Sequence, residues 1–117
     1  MTEVVRVGFK RQGRQVDVLR TIKRLVVRGN VLFTRKAEDE MVRDGLDEDM
    51  VAEAIVNAPA IAKRLRSRNP KSGEREYLYV VVGVTFDGVV IYTKGKILKV
   101  GGTEVFYVLI SSKKSES

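Results

Sequence analysis

The chain has 117 residues and a mass of 13.1 kDa, and its 22 lysines and arginines against 15 acidic residues give a net charge of +7. This length fits a single domain, and an apolar content of 44% is enough for a hydrophobic core without disulfide bonds. Cysteine and histidine are absent, which excludes zinc sites built on these residues, a cysteine nucleophile and imidazole catalysis.

The positive charge favours a polyanionic partner such as RNA, DNA or an acidic protein. No apolar run approaches the roughly 20 residues that cross a bilayer, and the first residues show no signal-peptide pattern. The protein is therefore expected to be soluble and cytoplasmic, with no membrane partner and no cofactor.

Residues 1–15 carry four cations around a short apolar stretch and are predicted to form either a basic arm or an edge strand. Over residues 17–28, apolar side chains recur at three-to-four spacing, which predicts a first helix. A short strand-like link follows at residues 31–33. Thr34 is then a suitable N-cap for a second helix that ends near Gly45.

Asp47 is predicted to cap a third helix, which Pro59 ends. Over residues 60–112 the apolar period changes from helical to alternating, which predicts strands. Turn signals divide this part of the chain at residues 69–73, 87–88 and 101–102, and Gly95 is a candidate β-bulge.

The fold is therefore predicted to be α+β, with three N-terminal helices packed on one face of an antiparallel β-meander. A single domain is expected over residues 16–113, with a frayed polar tail at residues 114–117.

The last two predicted strands carry lysines and tyrosines in alternation. If Gly101 and Gly102 form a two-residue hairpin loop, Val100 pairs with Thr103 and the register of both strands follows. One face is then apolar and lies against the helices, whereas the other is solvated. The residues predicted on the solvated face are Tyr92, Lys94, Lys96, Tyr107 and Ser111, with Lys113 diagonally beside Tyr92.

Such a face suits nucleic acid, because ammonium groups neutralise phosphate and tyrosine rings stack on unpaired bases. Lysines that only keep an exposed sheet soluble are the alternative interpretation. A second basic cluster surrounds the predicted turn and would also attract an anionic partner, either a nucleic acid or an acidic protein. It consists of Lys63, Arg64, Arg66, Arg68, Lys71 and Arg75.

The acidic residues lie mostly on the predicted helices, opposite the apolar stripes, and are expected to form a solvated surface and not a metal site. The glycines match no phosphate-binding loop and are explained by caps and turns.

Residues 23–37, Lys-Arg-Leu-Val-Val-Arg-Gly-Asn-Val-Leu-Phe-Thr-Arg-Lys-Ala, resemble the start of the MqsR-type mRNA interferase toxins. The helices over residues 35–57 are similar to small RelE-like domains. Residues 92–94, Tyr-Thr-Lys, and residues 110–113, Ile-Ser-Ser-Lys, resemble the last strands of the MqsR family. The resemblance implies a ribosome-independent endoribonuclease that cleaves single-stranded mRNA by attack of the 2′-hydroxyl on phosphate and is silenced by a cognate antitoxin protein.

By the same resemblance, the family's active-site tyrosine falls on Tyr92 and its C-terminal lysine on Lys113. A further basic residue falls on Arg64, or on Lys63 after a one-residue shift, and Lys94 assists. A family glutamine falls near Glu74 or Arg75, so that role is altered in this chain. The predicted RNA-binding residues are Lys63, Arg66, Arg68, Arg75, Lys96 and Tyr107.

Overall fold

The computed structural model describes residues 16–68 and 75–116. The predicted arm at residues 1–15, the predicted turn at residues 69–73, Glu74 and Ser117 lie outside the described residues.

Three helices occupy the first half of the described chain: α1 over residues 16–27, α2 over Arg35–Asp44 and α3 over Glu48–Asn57. The Thr34 hydroxyl accepts a hydrogen bond from the Ala37 amide at 3.2 Å, and Asp47 accepts one from the Met50 amide at 2.8 Å. Each side chain therefore satisfies an amide that lacks a partner in the first turn. Both predicted N-caps are confirmed.

Five strands form one sheet in the order β1-β5-β4-β3-β2. They are β1 (Val31–Phe33), β2 (Lys63–Arg68), β3 (Arg75–Val84), β4 (Val90–Val100) and β5 (Thr103–Lys114). Strands β2 to β5 are antiparallel neighbours, but β1 runs parallel to β5.

The predicted fold is therefore correct as an α+β arrangement and wrong in two details. The sheet is mixed and not an antiparallel meander, and β1 separates α1 from α2, so the helices do not form one N-terminal block. The reason is a long-range pairing that satisfies the edge of β5. The Tyr107 amide donates to Asn30 O, and the Thr34 amide donates to Leu109 O, each at 3.0 Å.

The three helices cover one face of the sheet, here called the helix face. Sheet side chains in this core include Val81, Ile91, Tyr107 and Leu109, and each is fully buried. At Gly83 a Cβ atom would lie 1.7 Å from the carbonyl oxygen of Ala54 on α3. Glycine is therefore required for this close approach between α3 and β3.

The hairpin between β4 and β5 begins as predicted, with Val100 opposite Thr103, but the register then shifts twice. The first shift, between Leu98 and Lys99, leaves Val105 without an opposite residue, and the second, between Lys94 and Gly95, does the same for Ile110. Each extra residue in β5 reverses the faces of the side chains that follow.

β5 also extends to Lys114, and the Ser115 amide donates to Val90 O at 2.9 Å, so the chain remains paired where a frayed tail was predicted. In the described residues, no helix combines the length and apolar character needed to cross a membrane.

Candidate active site on the open face of the sheet

Tyr92 and Lys113 form a pair on the face of the sheet opposite the helices, here called the open face. The two residues are directly opposite each other in the β4–β5 ladder, and Lys113 Nζ lies 5.5 Å from the centre of the Tyr92 ring. This distance suits a cation–π contact, and both side chains remain partly exposed. The prediction that Tyr92 and Lys113 share an accessible face is confirmed, although they are direct and not diagonal neighbours.

Two more lysines lie in the next row of the open face. Lys63 on β2 and Lys94 on β4 are each opposite Val80, which lies between them on β3. Lys94 is also two residues from Tyr92, so their side chains project from the same face about 6–7 Å apart along the strand. We call Lys63, Lys94 and Lys113 around Tyr92 the cation cluster.

Arg64, which was predicted to join Tyr92 and Lys113, does not belong to the cation cluster, because the register of β2 places it on the other face of the sheet. It is opposite Tyr79, and its guanidinium carbon lies 4.7 Å from the centre of the Tyr77 ring. Tyr79 packs against the core on the helix face, so Arg64 is on the far side of the sheet from Tyr92. The alternative assignment to Lys63 is the one that the register of β2 and β3 favours.

The other basic residues predicted to bind RNA are divided between the two faces. Arg66 is opposite Tyr77 and shares the face of Arg64. Lys96 is on the open face, where Nζ lies 3.6 Å from a Glu76 carboxylate oxygen. Arg68 and Arg75 are opposite each other at the end of β2 and β3.

Tyr107 is a core residue, and its prediction as an exposed RNA contact is wrong. It is opposite Ile97 instead of Lys96, because the first register shift moved it to the helix face. The ring is fully buried and packs over Gly95, where an added Cβ atom would lie 2.6 Å from Tyr107 Cζ. Burial raises the pKa of the Tyr107 phenol, so it stays protonated and does not exchange protons with a substrate.

Helix α2 holds the end of β5 that carries Lys113. The Ser112 amide donates to the Glu40 carboxylate at 3.0 Å, and the Lys114 amide donates to the Asp44 carboxylate at 2.9 Å. The two carboxylates are one helical turn apart, and the two amides are two strand residues apart, so the spacings match approximately. Lys113 therefore lies between two anchored amides. We call these two contacts the carboxylate clip.

The clip carboxylates are stabilised in their charged form. Burial tends to raise the pKa of Glu40, but hydrogen bonds from the Ser111 hydroxyl and the Ser112 amide, with the charges of Lys36 and Lys113, leave it below its usual value. The pKa of Asp44 is also lowered, by the Arg43 guanidinium and then by the Lys114 amide. Both groups therefore accept hydrogen bonds from β5 at neutral pH.

Sequence patterns missed the clip, because Glu40 and Asp44 resemble any acidic helix surface. The only signal was that Glu40 and Asp44 each lie three residues after a buried residue of α2, Ala37 and Met41 respectively. Their i, i+4 spacing places them on one side of the helix. The β5 amides that they bind are more than 65 residues away in sequence.

Within the described residues, no group of three or more acidic side chains is arranged to hold a metal ion. The cation cluster itself suits an anion, since its polar groups are ammonium donors and one phenol. Comparisons with protein families, with curated proteins and with solved structures find no match to this chain.

Proposed function

We propose that this protein is a ribosome-independent endoribonuclease that cleaves single-stranded RNA at the cation cluster. The observation that carries the proposal is the placement of Lys113 over the Tyr92 ring, with Lys94 and Lys63 in the adjacent row. An ammonium group beside a phenol, with two more lysines on the same face of the sheet, matches the needs of a phosphodiester whose negative charge increases during the reaction.

The proposed reaction is an internal transfer within the RNA. The ribose 2′-oxygen attacks the adjacent phosphorus and loses its proton, while the bond from phosphorus to the 5′-oxygen breaks and that oxygen takes up a proton. The products are a 2′,3′-cyclic phosphate and a free 5′-hydroxyl. The reaction consumes no water and needs no redox partner.

The lysines and the tyrosine of the cation cluster have different roles in the proposed reaction. Lys113 neutralises a non-bridging oxygen of the pentacoordinate phosphorus, where negative charge accumulates. Lys63, three strand positions from Lys113 in the sheet, binds a different phosphate of the same RNA strand. Tyr92 orients the 2′-hydroxyl or relays its proton, because the phenol is both a hydrogen-bond donor and an acceptor. Lys94, two residues from Tyr92, holds the neighbouring phosphate.

We further propose that the protein is the toxin of a toxin–antitoxin pair. An antitoxin of acidic surface would cover the cation cluster and exclude RNA by charge complementarity. Growth arrest on expression of the chain, relieved by one neighbouring open reading frame, is the expected cellular result.

The test is cleavage of a labelled single-stranded RNA by the purified chain, with the 2′,3′-cyclic phosphate identified by mass spectrometry. Tyr92→Phe and Lys113→Ala are expected to lower the rate constant about 10²–10⁴-fold. Lys114→Ala removes an equal charge from the next residue and is expected to keep most of the activity.

A second matched pair tests the register. Lys63→Ala should lower kcat/KM by about tenfold, because it removes a phosphate contact on the open face, whereas Arg64→Ala, on the other face, should change it less than about threefold. A larger loss of rate in Arg64→Ala than in Lys63→Ala would place the site on the helix face and contradict the proposal. Salt-sensitive retention of RNA without any cleavage would instead show a non-catalytic RNA-binding module.

A further inference from the structure

An exposed aromatic ring lies at the same end of the sheet as the Tyr92–Lys113 pair. Phe86, in the turn between β3 and β4, is 84% exposed, which is the largest value among the large apolar side chains in the described residues. Val84 and Val90, directly opposite each other on the adjoining strands, are 46% and 40% exposed. Exposed apolar side chains in a group of this kind mark a binding surface more often than isolated ones do.

The turn that carries Phe86 is anchored on both sides. The Thr85 amide donates to Val89 O at 2.9 Å, and the Thr85 hydroxyl accepts from the Val89 amide at 3.0 Å. On α3, Glu53 accepts a hydrogen bond from the Phe86 amide, and Asn57 donates to Val84 O at 2.9 Å. The backbone beneath the ring is therefore organised before any ligand arrives, which lowers the entropic cost of binding.

The ladder places this apolar group next to the cation cluster. Val82 is opposite Tyr92, and the next pair of side chains on the open face is Val84 with Val90. The Ser115 amide, two residues after Lys113, donates to Val90 O. Val90 is two strand residues from Tyr92, a distance of about 6–7 Å along β4. A flexible anionic strand that is bound at Tyr92 and Lys113 can therefore also contact Val84 and Val90.

We propose that Phe86, with Val84 and Val90, forms a stacking subsite for an unpaired nucleobase of the RNA strand whose phosphate lies in the cation cluster. This inference rests on the proposed function for the identity of the polyanion. Single-stranded RNA offers alternating charge and flat π-surfaces. The protein presents the Tyr92–Lys113 row, then the Val84–Val90 row and then the turn that carries Phe86. Stacking is tolerant of base identity, because every base has a π-face.

The chain contains no tryptophan, which gives a direct test. Phe86→Trp introduces a single tryptophan at the subsite, which can be excited selectively over the tyrosines. This variant is titrated with a fully 2′-O-methylated oligonucleotide, which cannot be cleaved, and with an abasic phosphodiester strand of the same length. We expect the emission to be quenched by the oligonucleotide with bases and unchanged by the abasic strand.

Affinity gives the second readout. Phe86→Ala should bind the base-bearing oligonucleotide on the order of 10- to 100-fold more weakly in fluorescence polarisation, with no change for the abasic strand. Val27→Trp is the matched control, since Val27 is 72% exposed at the end of α1, on the helix side of the sheet. Its emission should not respond to either strand.

The outcomes separate this inference from the nuclease proposal, because the methylated strand measures binding without chemistry. Quenching of the Phe86→Trp variant, in a chain that cleaves no RNA, would support the subsite and reject the nuclease. Cleavage by wild type, together with unquenched emission from Phe86→Trp and unchanged affinity in Phe86→Ala, would reject the subsite alone. Concentration-dependent dimerisation abolished by Phe86→Ala, or no binding of either strand, would also overturn the subsite.

Discussion

Tyr92 and Tyr107 lie on the same hairpin and have opposite environments. Tyr92 is on the open face under the Lys113 ammonium, partly exposed, whereas Tyr107 is on the helix face over Gly95, fully buried. The two residues have the same polarity, so the difference comes from their partners across the ladder. Tyr92 is opposite a lysine and Tyr107 is opposite Ile97. One face of the sheet is therefore available for chemistry, and the other provides stability.

Truncation of the two tyrosines should separate these roles most clearly. Tyr107→Ala is expected to lower the free energy of unfolding by about 3–5 kcal/mol, because it removes a large buried ring from the core. Tyr92→Ala should lower it by less, about 1–2 kcal/mol, since the ring is only partly buried. Urea denaturation of both variants at pH 7 measures the difference. Equal losses would mean that the open face is also part of the core.

Even one added methyl group on the helix face should lower the free energy of unfolding. Gly83→Ala is expected to cost about 1–3 kcal/mol, because the added Cβ would overlap the Ala54 carbonyl oxygen and backbone atoms have to move. The control is Gly45→Ala, which has open space around its Cβ but a φ of 70°, so that only left-handed strain of about 1 kcal/mol is expected. A Gly83→Ala variant as stable as the control would contradict the close approach of α3.

The local part of the structure could be predicted from the sequence. The N-caps at Thr34 and Asp47 and the left-handed Gly45 depend on residues within one helical turn, so their side chains carry enough information. The Val100–Thr103 pairing followed from the Gly101–Gly102 loop for the same reason.

The long-range part could not be predicted in this way. The irregularity predicted at Gly95 is present as the shift between Lys94 and Gly95, although the extra residue belongs to β5, but no local pattern indicated the shift between Leu98 and Lys99. An alternation count therefore placed Tyr107 on the wrong face. The choice between Lys63 and Arg64 likewise depends on the register of β2 against β3, which a one-residue error reverses.

The carboxylate clip is expected to make the stability of the protein depend on pH. A carboxyl whose pKa is lower in the folded protein binds fewer protons there than in the unfolded chain. Its contribution to stability is therefore present at neutral pH and is lost as the pH falls below the ordinary value of about 4 and through the folded pKa. The folded pKa values of Glu40 and Asp44 are both lowered, so the protein should become less stable on acidification.

Glu40→Gln should weaken this dependence. The variant keeps one acceptor for the Ser112 amide but loses the charge, so we expect a loss of about 1 kcal/mol at pH 7 and a smaller difference between pH 7 and about pH 3.5. Thermal melts at both pH values measure it. Glu38→Gln, an exposed neighbour on α2, should leave the profile unchanged, and an equal change in that control would assign the effect to net charge alone.

The smallest predicted effect concerns the two phenol hydroxyls. Among the described residues the Tyr107 hydroxyl is buried without a hydrogen-bond partner, and such a group costs free energy in the folded state. Tyr107→Phe should therefore raise the free energy of unfolding by about 0.5–1 kcal/mol and leave RNA cleavage unchanged. Under the proposed reaction, Tyr92→Phe should leave the stability unchanged and lower the rate of cleavage, because the proposal assigns the Tyr92 hydroxyl to the substrate 2′-hydroxyl. A destabilised Tyr107→Phe variant would mean that an ordered water satisfies this hydroxyl, and the helix face would then contain a polar network.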